Sequence, residues 1–371
     1  MSFDPALPLT HVTVDNATVI PFGADHITGK GISRPAGVLD ANGTAVALAK
    51  CWRDSAQRTT TSPPALDPVE TLTGTWLYGG LLYAHFGHFL CESTARLWAL
   101  DLPDTRFDGV IFLPKQRAPR MQRLLRPTKP WLAMTGCTLP VTAPMTATRV
   151  ERLIVPEQGF GTGDMIPARP EFRAYARRHF GAHIAAEGGT RLYISRSKLF
   201  SKRGRILGEA YLERALAAQG YDIFHPQEHP IEVQVARYKA AREVISTDCS
   251  ALHLAAFFAR PDDRVAIIAR RPGPTIEDFR KQYSAFCGLT PLAVEHLTRL
   301  HAFENAKLAQ MSEVYAEADF AKIQSSLTDA GFVTAEAAWP VPSAAELAEE
   351  LATLEARQGN ETQELEAGLG G

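Results

Sequence analysis

The strands and helices of the chain are clearest in residues 189–269, GTRLYISRSKLFSKRGRILGEAYLERALAAQGYDIFHPQEHPIEVQVARYKAAREVISTDCSALHLAAFFARPDDRVAIIA. Short apolar runs alternate there with longer helical patterns, and one helix is stopped by Gly220. Strands are predicted at 191–195, 221–224, 244–246 and 264–269, and helices at 208–219, 231–240 and 251–258. Because strands joined by helices form right-handed crossovers in a parallel sheet, this stretch predicts a Rossmann-like domain.

Outward from this stretch, the chain is predicted to be an α/β protein with four regions. An N-terminal α/β domain occupies residues 1–188, where short strands and turns precede a helical pattern at 84–100. The Rossmann-like domain covers 189–300, and an alanine-rich helical extension that packs back on the core covers 301–342. Residues 343–371 are predicted to form an acidic helix with a frayed or disordered polar end.

The composition limits the class of protein. Hydrophobic residues make up 45% and charged residues 22%, and a net charge of −2 gives no global field for nucleic acid. The first ten residues lack the basic start and apolar run of a signal peptide, and no apolar run approaches the ~18 residues of a membrane span. The five cysteines are scattered without a CxxC pair, which favours reduced thiols. We therefore expect a cytoplasmic protein that does not bind nucleic acid.

A polar stripe lies on the helix predicted at 84–100. On a helical wheel, His85, His88, Glu92 and Arg96 share one face beside an apolar face. These side chains can move protons and stabilise charge, which makes the face a candidate catalytic site. A solvated helix face explains the same pattern equally well. A metal site of His85, His88 and Glu92 is a third interpretation, weakened because no further ligand cluster is found in the sequence.

A basic loop follows the first strand of the Rossmann-like pattern. It lies at the carboxyl edge of the predicted parallel sheet, where open α/β folds bind ligands. Arginine forks, a lysine and the amides of a helix start could hold a diphosphate there, although a solvated basic loop is the alternative. The six basic residues of the loop are Arg191, Arg196, Lys198, Lys202, Arg203 and Arg205.

Small polar residues follow the strand predicted at 244–246. Ser250 and nearby amides could bind phosphate oxygens at a helix start, and His253 could donate to a phosphate or ribose. A nucleophilic role for Ser250 or Cys249 is weaker, because no G-x-S-x-G elbow surrounds them. The alternative is structural: Asp248 with its neighbour caps the helix, and His253 packs against the sheet.

Four segments follow one another in order: His85-Phe-Gly-His-Phe-Leu-Cys-Glu92 with Arg96, Leu192-Tyr-Ile-Ser-Arg196 with its basic continuation, His225-Pro226 with Gln234, and Asp248-Cys-Ser-Ala-Leu-His253. In this order they resemble the family-61 glycosyltransferases, including bacterial enzymes of capsule, exopolysaccharide and lipopolysaccharide synthesis (the DUF563-like type). The absence of an Asp-x-Asp pair and of a P-loop agrees with that resemblance. Two departures are Cys249, where glycine is common, and Leu254, where asparagine is common.

The resemblance implies two Rossmann-like domains that face a cleft (GT-B-like), inversion at the anomeric carbon and no metal or other cofactor. Glu92 matches the position of the general base, with His88 beside it, and His85 or His88 would orient it. The positions expected near the donor diphosphate are Arg196, Lys202, Arg203, Asp248, Ser250, Ala251, Leu252 and His253. The first domain would then be the acceptor side, and the second would bind the nucleotide sugar.

The implied function is transfer of a hexose or pentose from a nucleotide sugar to a glycan or lipid-linked glycan acceptor during polysaccharide biosynthesis. The alternative is a non-catalytic sugar-nucleotide-binding or scaffold subunit of a polysaccharide assembly complex, suggested by Cys249 and Leu254. An epimerase or hydrolase would use the same phosphate site, and a metal-dependent hydrolase would use the histidines. A basic face at Arg117, Arg120, Arg123 and Arg126 is either a solvated helix or a peripheral contact with the inner face of the cytoplasmic membrane.

Overall fold

The computed structural model describes residues 3–23, 33–115, 128–199, 204–303 and 313–365. The chain divides into two compact units, Met1–Ile184 and Ala185–Gly371. Each unit contains helices and a sheet with parallel strands, which confirms the predicted α/β class. The GT-B-like arrangement of the two units stays a prediction. No helix within the described ranges has the length and apolar character needed to cross a membrane.

The first unit is built on a six-stranded mixed sheet, in the order β3-β1-β8-β5-β6-β7. Strand β1 pairs antiparallel with β3 and β8, whereas β8, β5, β6 and β7 run parallel. The second half of β5 is fully buried, so the parallel strands form the centre of the core. The strands of this sheet are β1 (His11–Ile20), β3 (Gly37–Leu39), β5 (Glu70–Leu82), β6 (Gly109–Pro114), β7 (Val141–Thr142) and β8 (Thr148–Pro156), and a separate pair is formed by β2 (Arg34–Pro35) and β4 (Thr60–Thr61).

The prediction of one continuous helix at 84–100 is wrong. Helix α1 covers only Phe86–His88, a π-helical turn follows at Phe89–Ser93, and a 3₁₀ turn begins at Leu97 after a break. The side chain of Thr94 explains the change, because its hydroxyl donates to the Leu90 carbonyl at 2.6 Å while its N–H reaches back to Phe89. Wide turns of this kind rotate later residues away from their α-helical positions. A longer helix, α2, covers Pro170–His179.

The second unit contains the predicted Rossmann-like sheet, which is entirely parallel, with strand order β10-β9-β11-β12-β13. Strand order reverses between β9 and β11, and ligands of doubly wound folds bind at the carboxyl ends of the strands at this point. The strands are β9 (Arg191–Ile194), β10 (Asp222–Phe224), β11 (Glu243–Thr247), β12 (Arg264–Ile268) and β13 (Leu292–Val294). The helices are α3 (Glu209–Ala218), α4 (Ile231–Ala240), α5 (Ala251–Ala255) and α6 (Thr275–Cys287).

Strands occur in the region 301–342, which is predicted to be helical, and in the tail, whose end is predicted to be frayed or disordered. Strand β14 (Leu297–Phe303) lies between β15 (Tyr315–Ala318) and β16 (Thr362–Glu364) in an antiparallel sheet. Tyr315 is completely buried against Phe303, and this tertiary packing overrides the helical preference of the alanine-rich sequence. Two helices are formed as expected, α7 (Phe320–Asp329) and α8 (Ala344–Gln358), the second with a capping box between Ser343 and Glu346.

Candidate active site

The loop that leaves β5 brings His88 and Glu92 into contact. His85 caps α1 by accepting a hydrogen bond from the His88 N–H at 3.5 Å. The π-helical turn then places Glu92 so that its Oε1 lies 2.6 Å from His88 Nδ1. The Glu92 side chain is 3% exposed, whereas that of His88 is 33% exposed. The pair therefore has a buried carboxylate and an imidazole that solvent or a substrate can reach.

The contact with Glu92 orients this imidazole. In the neutral tautomer whose Nδ1 donates to the carboxylate, Nε2 keeps its lone pair and can accept a proton. The other carboxylate oxygen, Oε2 of Glu92, is buried and has no hydrogen-bond partner among the described residues. A hydroxyl group that approaches from solvent therefore meets His88 before it meets Glu92.

Three further residues surround this pair: Tyr83, an aromatic residue that flanks the predicted catalytic segment, and Arg53 and Lys115, which the sequence patterns missed. Arg53 Nε lies 3.5 Å from Glu92 Oε1, and the ring of Tyr83 stacks on His88 with centroids 5.2 Å apart. Lys115 Nζ donates to Tyr83 Oη at 3.3 Å and lies 4.6 Å from the ring centroid. Burial and the charge of Glu92 raise the pKa of Tyr83, so this residue is a neutral phenol. Tyr83 and Lys115 directly follow the carboxyl ends of β5 and β6, which pair in parallel. Had this pairing been predicted, it would have placed the two residues at the same edge of the sheet.

The loop that carries Arg53 is held in place by Gln158. The Gln158 side chain accepts from the Trp52 N–H at 3.0 Å and donates to the Trp52 carbonyl at 2.8 Å. The N–H of Thr162 donates to the Arg53 carbonyl at 2.7 Å. These bonds fix the loop backbone on both sides of the guanidinium, which presents Arg53 to Glu92 without a large ordering cost.

Arg96 does not share the face of His85, His88 and Glu92. Its side chain is 1% exposed, donates to the carbonyls of Pro156 and Lys50, and stacks over the ring of Tyr78. The displacement follows from the wide turn at 89–93. Arg96 therefore has a structural role: it ties the end of β8 to the segment before Arg53.

The second unit gathers basic side chains at the switch point of its sheet. Arg196 follows β9, and its Nη2 donates to the Gly204 carbonyl at 3.2 Å, the same oxygen that accepts from Nη1 of Arg270. Asp248 follows β11 and is completely buried, with Oδ1 accepting from Nε of Arg271 at 3.0 Å. Burial, together with Arg196 and Arg271 and against the attraction of Asp248, lowers the pKa of Arg270 to about 10. The sequence patterns missed Arg270 and Arg271, although they follow β12 at the same edge.

The other residues of the predicted phosphate motif differ in how far a ligand could reach them. Ser250 is partly buried at the start of α5, while Leu252 is completely buried and contributes to the core. Ala251 is 8% exposed, so contact with a ligand would involve little more than its backbone. His253 packs on Phe279, and its Nδ1 lies 2.7 Å from the Gln282 side-chain oxygen. Because α5 has only five residues, its dipole contributes little, and side chains must supply most of any anion binding.

Other residues of the predicted basic loop are engaged elsewhere or lie outside the described ranges. Arg205 is 6% exposed and donates to the carbonyls of Ser197 and Leu199, and exposed Lys198 pairs with Glu228. The residues outside the described ranges are Lys202, Arg203, Arg117, Arg120, Arg123 and Arg126.

Two carboxylates of α3 fix the loop after β9. Oε1 of Glu209 accepts from the Arg196 N–H at 2.9 Å and from the Tyr193 hydroxyl at 3.0 Å. Glu213 accepts from the hydroxyl of Ser195 at 2.5 Å and from that of Ser197. Burial raises the pKa of Glu209. These contacts set the backbone from which Arg196 projects.

No metal cluster is formed by the described side chains: no three or more His, Cys, Asp or Glu residues are placed to hold an ion. The three-ligand site considered for His85, His88 and Glu92 is therefore absent from this geometry. A separate concavity of about 410 Å³ in the first unit contains Asp101 and His179, and none of its lining residues belongs to the His88 or Arg196 cluster.

The two departures from the family pattern are buried. Leu254 is completely buried, and Cys249 is 6% exposed with its sulfur 3.6 Å from the Ser246 hydroxyl. Both side chains therefore pack beneath the sheet edge. All five cysteines of the chain are free thiols, as expected.

Comparison with known proteins places this chain in a family. The family model described as Glycosyltransferase 61 matches residues 86–266, a range that starts at Phe86 and ends in β12. The match includes both the His88–Glu92 pair and the Arg196 and Asp248 loops. No curated protein matches the chain. The match and the four motifs within and around it identify the chain as a member of glycosyltransferase family 61, and thus as a sugar-transferring enzyme.

Proposed function

We propose that the enzyme transfers a hexose or pentose from a nucleotide sugar to a glycan or lipid-linked glycan acceptor, with inversion at the anomeric carbon and without a metal ion. The observation that carries this proposal is the 2.6 Å contact between His88 Nδ1 and Glu92 Oε1. In the tautomer whose Nδ1 donates to Glu92, Nε2 is the free acceptor. An inverting transfer needs one base that removes the acceptor hydroxyl proton while the bond between sugar and diphosphate breaks. The pair supplies that base.

In this proposal His88 is the group that receives the proton. Its imidazole is the more exposed member of the pair, and it becomes cationic as the acceptor oxygen attacks. The buried carboxylate of Glu92 holds the ring in one tautomer and stabilises the charge that develops on it. Glu92, favoured as the base from the sequence, therefore acts through His88. His85 fixes the backbone of the turn by capping α1.

The donor diphosphate is assigned to the edge of the parallel sheet in the second unit. Arg196 and Arg271 can offer planar forks to phosphate oxygens, and Ser250 can donate a hydroxyl. Asp248 neutralises part of this positive charge and orients Arg271 at 3.0 Å. Arginine side chains can stabilise the leaving diphosphate electrostatically, which is the role that a metal ion has in other transferases. Lys202 and Arg203 are proposed to add to this site on the basis of the family motif.

The resemblance also supports a role in bacterial capsule, exopolysaccharide or lipopolysaccharide biosynthesis, in the cytoplasm and with peripheral membrane contact. Five free cysteines, four of them buried, fit a reducing compartment. A lipid-linked glycan would bring the acceptor to the membrane surface.

The experiment begins with thermal stabilisation of the full chain by a panel of nucleotide sugars, because binding to the native state raises the unfolding temperature. The stabilising donor is then incubated with glycan acceptors, with and without a chelator, and the anomeric configuration of the product is read by NMR. We expect inverted product at the same rate with chelator. A retained configuration would contradict the proposed mechanism, and loss of transfer on chelation would contradict metal independence.

A further inference from the structure

Several cationic side chains lie near the His88–Glu92 pair in addition to His88 itself. Arg53 lies 3.5 Å from Glu92, and Lys115 lies 3.3 Å from the Tyr83 hydroxyl that borders it. Arg34, on strand β2, is close enough to act electrostatically on Lys115. Burial and Arg53 lower the pKa of Lys115, while Glu92 opposes them. Arg34, Arg53 and Lys115 are termed the cation cluster.

Besides burial, two arginines and one carboxylate act on Lys115: Arg53 and Arg34 lower its pKa, and Glu92 raises it. Arg53 and Lys115 both interact with the Glu92 carboxylate, whose Oε1 also lies 2.6 Å from His88 Nδ1. Nη2 of Arg34 is a buried nitrogen without a hydrogen-bond partner among the described residues. Nε of Arg53 forms the 3.5 Å ion pair with Glu92 Oε1. The three cationic side chains are half-buried, and partial loss of hydration is costly for a cation unless an anion compensates it. An arrangement of this kind is typical of a site that an anion completes.

The second unit has its own arginines for a diphosphate. Arg196, Arg270 and Arg271 converge at the switch point of the parallel sheet, the usual ligand position of that fold. The cation cluster belongs instead to the unit and the strand edge that carry the proposed base. A ligand group bound there would belong to the molecule whose hydroxyl is deprotonated, which is the acceptor.

We infer that the cation cluster binds a phosphate or carboxylate group of the acceptor, so that the acceptor is an anionic glycan. This inference rests on the proposed function. Arg34 and Lys115 would hold the anion, and Arg53 would bridge it to Glu92. The anion would orient the sugar so that one hydroxyl meets Nε2 of His88, and a neutral analogue would leave the half-buried cations without that anionic partner. Discrimination against a neutral acceptor follows from that lost pairing.

The test uses binding of small probes to the full chain, measured by calorimetry at low salt. Glucose, glucuronate and glucose 6-phosphate differ in charge on one sugar ring, and inorganic diphosphate represents the donor. We expect both anionic sugars to bind at least ~10-fold more tightly than glucose, as charge-assisted hydrogen bonds are among the strongest. Lys115→Gln and Arg34→Gln should each weaken anionic-sugar binding about 10-fold and leave diphosphate binding unchanged.

Lys129→Gln is the matched control, because Lys129 is an exposed lysine of the same unit outside the cluster. It should bind all probes as the wild type does. Thermal unfolding of each variant verifies that it is folded, and Arg34→Gln provides a second reading if Lys115→Gln is unstable.

Two results would overturn the inference. Equal binding of glucose and the anionic sugars by the wild type would remove the anion site. If Lys115→Gln lost diphosphate binding and kept anionic-sugar binding, the cation cluster would belong to the donor site. Hydrolysis of a nucleotide sugar by the wild type, measured separately, shows whether the proposed function itself fails, because that reaction needs no anionic acceptor.

Discussion

Replacing His88 and Glu92 separately and together tests which of them removes the proton. Loss of a general base costs ~10²–10⁴-fold in rate, so His88→Ala should lower kcat by that factor. Glu92→Gln keeps the shape of the side chain and removes its charge. A unit charge pair about 4 Å apart interacts by roughly 4 kcal/mol at an effective dielectric constant of ~20.

That interaction is reduced here because the His88 ring is 33% exposed. Taking about half of it leaves about 2 kcal/mol of stabilisation for the imidazolium, which corresponds to a ~30-fold fall in kcat for Glu92→Gln. Since Glu92 acts through His88, the double variant should be no slower than His88→Ala alone.

The assay measures initial rates of product formation at saturating donor and acceptor, with quantitation by mass spectrometry. His179→Ala is the matched control, because His179 makes a similar contact, 2.7 Å from Asp101, in the same unit and outside the cluster. It should keep the wild-type rate. A larger loss in Glu92→Gln than in His88→Ala, or additive losses in the double variant, would refute His88 as the base and restore Glu92 to that role.

Three further predictions concern donor binding, stability and pH. Arg271→Gln should weaken binding of a nucleoside diphosphate ~10-fold or more in calorimetry, because one charge-assisted fork is lost, and unchanged affinity would exclude this arginine from the donor site. Arg96→Met should destabilise the fold by about 2 kcal/mol, since two buried carbonyls lose their donor; thermal unfolding unchanged from wild type would contradict its structural role. Glu209 has a pKa raised by burial above its usual 4.5, so the native state holds a proton that the unfolded state releases, and wild-type stability falls as pH rises through the raised value. Between pH 4 and pH 8, the unfolding temperature of Glu209→Gln should therefore rise relative to that of the wild type. A difference between the two that stays constant over this range would contradict this ionisation.

The parallel sheet of the second unit was readable from the sequence because its strands are short apolar runs buried on both faces. The helix predicted at 231–240 is observed with the same bounds, and each predicted strand lies within two residues of its observed ends. Strand β5 of the first unit was missed because glycines interrupt its pattern. At Gly79 a side chain is excluded, since an added Cβ would lie 2.3 Å from the Phe112 ring.

The sequence alone determined which residue types are available and where the strands of the parallel sheet end. It placed Arg196 and Asp248 at one sheet edge, because parallel strands in a doubly wound sheet end on the same side. It also placed His88 and Glu92 four residues apart, a spacing that keeps side chains close on any helical turn.

Only the tertiary structure decided the partners of these residues. The wide turn at 89–93 removed Arg96 from the polar face, and the fold brought Arg53 and Lys115, distant in the chain, to Glu92 and Tyr83 in its place. Exposure likewise depends on packing, so the sequence could not show that His88 is accessible and Glu92 buried. Helical periodicity describes neighbours along one element, whereas the charge around a carboxylate is set by every element packed against it.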